Sequence, residues 1–355
     1  VSRPVIVGGG PAGAAAAIAL ARAGLAPLLL ERDAAASEKV CGEFLAEDAA
    51  RGLAALGLDV PALGAVPIRR AVLGAGRQEA ALALPFPAWG LPRATLDAAL
   101  LDAARAAGAE LRCGTAVSEA LPDGAGWRLR LAAGEVLQAG SLVLATGKHE
   151  LRGARRPVEG GAIGLKLPLH GAAPEEAIVL LACAGGYAGL QPRPGGANLC
   201  AALDPRAPGA AEAARSAAAF LAHVAAGSAL AERVLRDLRP ALDRPMTVAG
   251  VPYGFVHRGG GPFRVGDQLS VIPSFCGDGV AMALRSGLRA AEALRRGEDS
   301  TCHHARWAAE VRGGMRLAGW LAALTDRAPR LLVGGAALAP GLAAMAARRT
   351  RLGFG

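Results

Sequence analysis

Gly8, Gly10 and Gly13 stand in G-x-G-x-x-G register within "PVIVGGGPAG", and further along Glu31 closes the run "LLLE". Such glycines let backbone N–H groups approach a pyrophosphate. A carboxylate after the second strand accepts from a ribose 2′-hydroxyl and repels a 2′-phosphate. Two other residues offer different chemistry. Cys41 in "KVCGEFL" places a thiol in a loop, where its plainer role is a small apolar filler. His257 in "YGFVHR" could act as acid or base near neutral pH, or simply be structural.

These residues need particular elements to position them. Val5, Ile6 and Val7 are a β-branched run suited to a strand buried on both faces. An alanine-rich helix is expected from about Ala12 to Ala23, ended by Gly24, and Leu28 to Leu30 form a second strand leading into Glu31. Strand, glycine turn, helix, strand and acid together make a dinucleotide-binding unit, and a glycine-rich hairpin is the alternative. Downstream, helices are expected from Ala46 to Leu56 and from Ala94 to Ala107, with a β-like region at "AVLGAGRQEAALALP" between them. A strand ending near Val117 follows, then a hairpin and an apolar strand, Leu142 to Ala145, stopping at Gly147. Strand-like runs at "AIGLKLPLH", "AIVLLACAGGYAGLQPR" and "ANLCAALD" precede helices through 210–238, and the chain reads as helical from about Thr301.

The 355 residues suffice for one or two domains. They are 52% hydrophobic but only 4% aromatic, which suits an alanine-rich α/β protein. A net charge of +9 would fit nucleic acid, but the arginines are scattered and no aromatic-interleaved basic stripe accompanies them, so no nucleic-acid partner is expected. Six cysteines without a C-x-x-C pair argue against a disulfide framework or a zinc site. Adjacent Cys302, His303 and His304 point in different directions on a helix, so no metal is expected. No signal peptide precedes the first strand, and a cytoplasmic protein is the expectation. The stretch "LLVGGAALAPGLAAMAA" is short and broken by Pro340. It could lie on a membrane as a peripheral contact or line an apolar pocket.

One glycine fingerprint does not separate NAD from FAD. The hairpin before "LVLATG" and the late block "FRVGDQ…PSFCGDG" resemble the FAD-binding fold of group A aromatic monooxygenases, geranylgeranyl reductases and flavin-dependent halogenases. This resemblance spans most of residues 1–300 and implies FAD as cofactor, with NADPH or NADH as electron donor. It implies that Gly8, Gly10, Gly13 and Glu31 hold the ADP half, with Pro11, Ala12 and Arg32 beside them. Arg93 would lie near the phosphates and ribityl chain, Val117 would offer a backbone contact to adenine, and Asp267 would accept from the ribityl chain. Pro273, Gly277, Asp278, Gly279 and Val280 match the segment beside the isoalloxazine, with Thr146, Gly147 and Cys41 in the same lining. Lys39, Cys41 and Gly42 resemble the K-x-C-G loop of geranylgeranyl reductase-like proteins. Lys166, Tyr187 and Gln191 would face the substrate.

The chain also departs from these families. "ATGKHELRG" lacks the D-G motif that serves the nicotinamide in group A hydroxylases. None of Trp89, Trp127, Trp307 and Trp320 sits in a W-x-W-x-I-P motif, which argues against halogenation. The expected fold class is α/β: a Rossmann-type, glutathione-reductase-like FAD-binding domain (1–70, 93–150 and 262–300), a β-sheet substrate domain (71–92 and 151–261) and a helical C-terminal section (301–355). The expected chemistry is flavin redox on a hydrophobic small molecule, aromatic, polyketide or lipid-like. Oxygen insertion is placed ahead of double-bond reduction, and a flavin-binding redox sensor is the non-enzymatic alternative.

Overall fold

The computed structural model describes residues 3–158, 160–171 and 174–351. Residues 1–2 and 352–355 of the expected domain ends lie outside these. Five parallel strands form one sheet, in the order Phe263–Arg264, Ser141–Leu144, Pro4–Val7, Leu28–Leu30, Glu110–Arg112. The central strands are apolar throughout because each face has its own core. Ile6, Leu29 and Val143 point into a helical layer, while Val5, Val7, Leu28, Leu30, Leu142 and Leu144 point the other way. The second layer is a three-stranded sheet, Val117–Asp123, Gly126–Leu131 and Val136–Ala139. Burial of each such side chain contributes about 1.5–3 kcal/mol.

The nucleotide helix runs Pro11–Arg22, with proline at its first position, where no N–H is needed. It stops before Gly24, whose φ of 77° suits the left-handed end of a helix. Its alanines allow close packing with helix Gly279–Arg295: a Cβ on Gly287 would stand only 2.2 Å from the Ala12 carbonyl oxygen. Helices Glu47–Ala55 and Arg93–Ala106 fall within a residue of the expected bounds. The strand expected to reach Val117 instead ends at Arg112, and Gly114 at φ 71° turns the chain. Val117 opens the three-stranded sheet, and Cys113 lies in the turn.

A nine-stranded sheet forms the other half. Its strands follow the order Arg239–Pro240, Ala162–His170, Gly196–Leu203, Gly186–Arg193, Ala177–Cys183, Val66–Ala75, Gln78–Gly90, Phe44–Ala46, with Met246–Val251 also on Ala162–His170. Phe44–Ala46 and the first half of Val66–Ala75 therefore belong to this sheet, not to the nucleotide domain that was expected to hold residues 1–70. The hairpin strand is continuous, pairing Val66 with Gly90 and Ala75 with Gln78. One face packs on helices carrying Phe220, Val224 and Leu230. The other meets the C-terminal helices Pro329–Leu338, through Val333 and Ala336, and Pro340–Arg349, through Ala343. Among the described residues no single helix is long and apolar enough to cross a membrane, and those last two bend by 112° at their junction.

Candidate active site

The three fingerprint glycines are required for three different reasons. Gly8 has φ 110°, and a Cβ there would sit 2.3 Å from the Ala145 carbonyl oxygen. A Cβ on Gly13 would fall 1.9 Å from the Gly8 carbonyl oxygen, so the helix can meet the strand only as glycine. Gly10 differs: the nearest atom to its absent Cβ is Arg93 Nη2 at 3.6 Å, so an open cradle lies between turn and guanidinium. Glu31 Oε2 accepts from Gly9 N at 2.6 Å and Oε1 from Asp33 N at 3.0 Å, which braces the turn from the end of the second strand. Neither the nucleotide helix nor helix Gly279–Arg295 has an acidic residue in its first turn. Their unpaired N–H groups and positive ends remain available to an anion.

Both helix starts open into a cavity of about 380 Å³. Gly10, Pro11 and Ala12 line it from one side, Gly277, Gly279 and Val280 from another, and Arg93, Gly147 and Asp267 between them. Arg93 lies with its side chain 15% exposed and makes a bidentate pair with Asp97, at 3.0 and 2.9 Å. Asp267 pairs with Lys148 at 3.0 Å, which holds the ammonium charged and raises its pKa. The large sheet contributes apolar walls, including Leu73, Leu82 and Leu180, and the C-terminal helices contribute Leu332, Ala336 and Ala347. A mostly apolar cleft with a few convergent polar groups is the usual form of a small-molecule site.

The loop "KVCGEFL" borders this cavity with Cys41 and Gly42, as expected. Lys39 turns away to pair with Asp33. Asn198 Nδ2 donates to the carbonyl oxygens of both Cys41 and Gly42, each at 3.1 Å, and the Cys41 thiol lies beside the Arg93 guanidinium. The loop ends at Glu43, which adopts the left-handed backbone (φ 62°) and is 1% exposed. Glu43 Oε1 accepts from the backbone N–H of Arg93 at 3.0 Å and from Lys166 Nζ at 2.5 Å. Lys166 also pairs with Glu38, which Arg193 contacts at 2.7 Å. Burial opposes the charge on Glu38, but hydrogen bonds from Lys166 and Arg193 prevail and hold its carboxyl at about 2. Burial prevails at Glu43, whose carboxyl is raised.

Some expected site residues are placed differently. Lys166 is fully buried in this ion-pair cluster and does not line the cavity, although Tyr187 and Gln191 on the neighbouring strand do. Both side-chain polar atoms of Gln191 lack a partner among the described residues. His257 also lies outside the cavity lining. Its ring packs edge-on against His304 at 4.8 Å, and burial lowers its pKa, so it belongs to a structural histidine cluster with His303. Asp278 is buried behind the Gly277–Gly279 turn and pairs with Arg351, and burial pushes its carboxyl up to about 7. Thr146 donates to the His149 carbonyl oxygen at 2.7 Å, Arg32 is half-exposed beside Asp33, and Val117, at the start of the three-stranded layer, packs on the core beneath it. Pro273 is the cap residue of the short 3-10 turn Ser274–Cys276. Sequence reasoning missed Glu43, Arg193, Asn198, Tyr253, Ser274 and Arg351. Glu43 and Ser274 stand inside quoted motifs, and a lysine flanked by leucines in "AIGLKLPLH" signals a buried partner.

The residues present fit a flavin dinucleotide: an open cradle at Gly10 faces an ionised arginine, and Gly279, whose Cβ position has nothing within 4 Å, marks a second helix start in the same cavity. Residues 3–139 match the family described as FAD binding domain. No curated protein matches the chain in sequence. Among solved structures, the flavin-dependent brominase Bmp2 superposes with a TM-score of 0.78 at 21% identity, over 98% of this chain and 93% of that one. The myxobacterial chondrochloren halogenase CndH gives 0.73 at 21% identity, over 90% and 81%. A geranylgeranyl bacteriochlorophyll reductase-like protein from Thermoplasma acidophilum gives 0.70 at 18% identity, over 94% and 87%. Residues 3–139 thus resemble the FAD binding domain family, and the chain as a whole has the fold of these flavin-dependent halogenases and this reductase-like protein.

Proposed function

We propose that the protein is an FAD-dependent oxidoreductase acting on an apolar small molecule held between the glycine turn and the large sheet. The observation that carries this reading is one cavity lined both by the fingerprint turn and by Leu73, Leu82 and Leu180. Gly10, Pro11, Ala12 and Arg93 would hold the phosphates, Glu31 the ribose and Asp267 the ribityl chain. When bound, the flavin supplies two-electron redox chemistry, and the protein supplies orientation and electrostatics. The start of helix Gly279–Arg295 would favour negative charge at its N–H groups. With a substrate in place, the apolar walls and the C-terminal helices would limit the entry of water, which suits oxygen insertion, a reaction in which water diverts reactive species. Oxygen insertion is therefore the leading reaction, with NADPH or NADH as electron donor.

Reduction of a carbon–carbon double bond is the second reading, favoured by Cys41 and Gly42 at the cavity edge. The experiment is turnover of an aromatic and an alkene probe under NADPH or NADH, with and without oxygen, analysed by product mass. A product heavier by one oxygen atom supports the first reading. A product heavier by two hydrogens under anaerobic conditions supports the second. A brominated product formed only with bromide and oxygen present would contradict both.

A further inference from the structure

The chain contains only two tyrosines, and both reach the same serine. Tyr187 projects from strand Gly186–Arg193, Tyr253 follows strand Met246–Val251, and Ser274 lies in the turn before Gly277. The Tyr253 hydroxyl is 2.8 Å from Ser274 Oγ, and the Tyr187 hydroxyl is hydrogen-bonded to the same oxygen. Two chance contacts of this kind would be unusual in a protein with 4% aromatic residues. Phe275 packs edge-on against Tyr187, with ring centroids 5.4 Å apart and planes at 87°, which fixes where the phenol points. All three hydroxyl-bearing residues line the cavity.

Proton counting shows what the cluster can offer. Three hydroxyls carry three protons, and the two bonds among them use two. One O–H therefore remains to donate outward, with lone pairs beside it that can accept. Burial raises the Tyr187 phenol well above its usual range and pushes Tyr253 up to about 12, so both stay protonated and act as donors, not bases. The Lys148 ammonium, near enough to Tyr253 to act on its charge, favours an electron-rich oxygen at this spot.

We propose that Tyr187, Ser274 and Tyr253 form the polar anchor of the substrate chamber and bind a single phenolic or carbonyl oxygen of an otherwise apolar substrate. This rests on the reading of the cavity as the chamber of a flavoenzyme. It narrows the substrate class to apolar molecules bearing an oxygen that the spare hydroxyl proton can reach. The anchor acts by orientation, setting which carbon of the substrate is presented for reaction.

Two probes of similar shape test it, 2-naphthol and 2-methylnaphthalene, each titrated into FAD-loaded protein, with FAD content measured separately. The triple variant Tyr187→Phe/Ser274→Ala/Tyr253→Phe removes every hydroxyl of the cluster and should weaken 2-naphthol about tenfold or more while leaving 2-methylnaphthalene within about twofold, the pattern of a lost hydrogen bond. Each single variant keeps at least one spare O–H and should lose less, and Tyr187→Phe also keeps the ring contact with Phe275. Unchanged 2-naphthol affinity in the triple variant, equal loss of both probes, or no 2-naphthol binding to the wild type would each overturn the anchor. Loss of FAD affinity in these variants would assign the hydroxyls to the cofactor and overturn it too. Protein that holds no FAD yet still discriminates between the probes would contradict the flavoenzyme reading and leave the anchor standing.

Discussion

Replacing Lys166 with methionine probes the buried cluster that holds the cavity-edge loop in place. The side chain keeps all but its last atom in length, and Glu43 loses its closest partner, a 2.5 Å contact in a setting where Glu43 is 1% exposed. Removing one member of a buried ion pair costs about 3–5 kcal/mol. Glu43 retains the backbone N–H of Arg93 at 3.0 Å, and Arg193 stands 3.5 Å away, so the lower end, about 3 kcal/mol, is expected. The deficit should depend on pH with a definite sign. Burial raises the folded-state pKa of Glu43, so the native protein holds a proton at pH values where the unfolded chain has released it. Stability from that protonation is present at low pH and lost as pH rises through the folded pKa. Lys166→Met should therefore be more destabilised, relative to wild type, at pH 8 than at pH 5. The double variant Lys166→Met/Glu43→Gln should recover much of the loss, because the amide oxygen still accepts from Arg93. Urea unfolding of the FAD-loaded proteins at both pH values is the assay. A deficit under about 1 kcal/mol, or one that grows as pH falls, would refute the reasoning.

Three further substitutions separate the roles of the site. Gly13→Ala puts a methyl group where the Gly8 carbonyl oxygen stands 1.9 Å away, so FAD content of the purified protein should fall sharply, and full occupancy would contradict the packing argument. Asp267→Ala removes a carboxylate expected to accept from the ribityl chain, a charge-assisted bond of about 1.5–3 kcal/mol. It also leaves Lys148 without its 3.0 Å partner, so FAD titration of apo-protein should show a loss of about tenfold or more. Cys41→Ser should leave FAD content and melting temperature near those of wild type while altering the flavin absorption spectrum or turnover; no change in either would remove the loop from the active site.

Residues 4–31 declared their structure because several local signals agreed: a β-branched strand, glycines at a required spacing, an alanine helix with a glycine stop, and a terminal acid. Strand runs such as Ala162–His170 were legible by the same means. What the sequence did not disclose is long-range. Lys166 reads as a chamber-facing cation, yet Glu38 and Glu43, far away in the chain, draw it inward and bury it. His257 reads as the histidine nearest the flavin segment, but His304 on the C-terminal helix takes it into another cluster. The tyrosine and serine hydroxyls meet only because two strands and a turn converge. No local pattern encodes that distance. The domain boundary shifted for a related reason, since a hairpin strand extends for as long as its partner does, whatever composition suggests at Ala71.

The central claim is that the glycine turn, Arg93 and Asp267 hold FAD. The direct measurement is to release the cofactor by heat from protein reconstituted with a mixture of FAD, FMN and NAD, and identify it by mass. The account predicts FAD at about one per chain, with loss of that signal in Gly13→Ala. Recovery of NAD or FMN in place of FAD, or of no nucleotide at all, would contradict it.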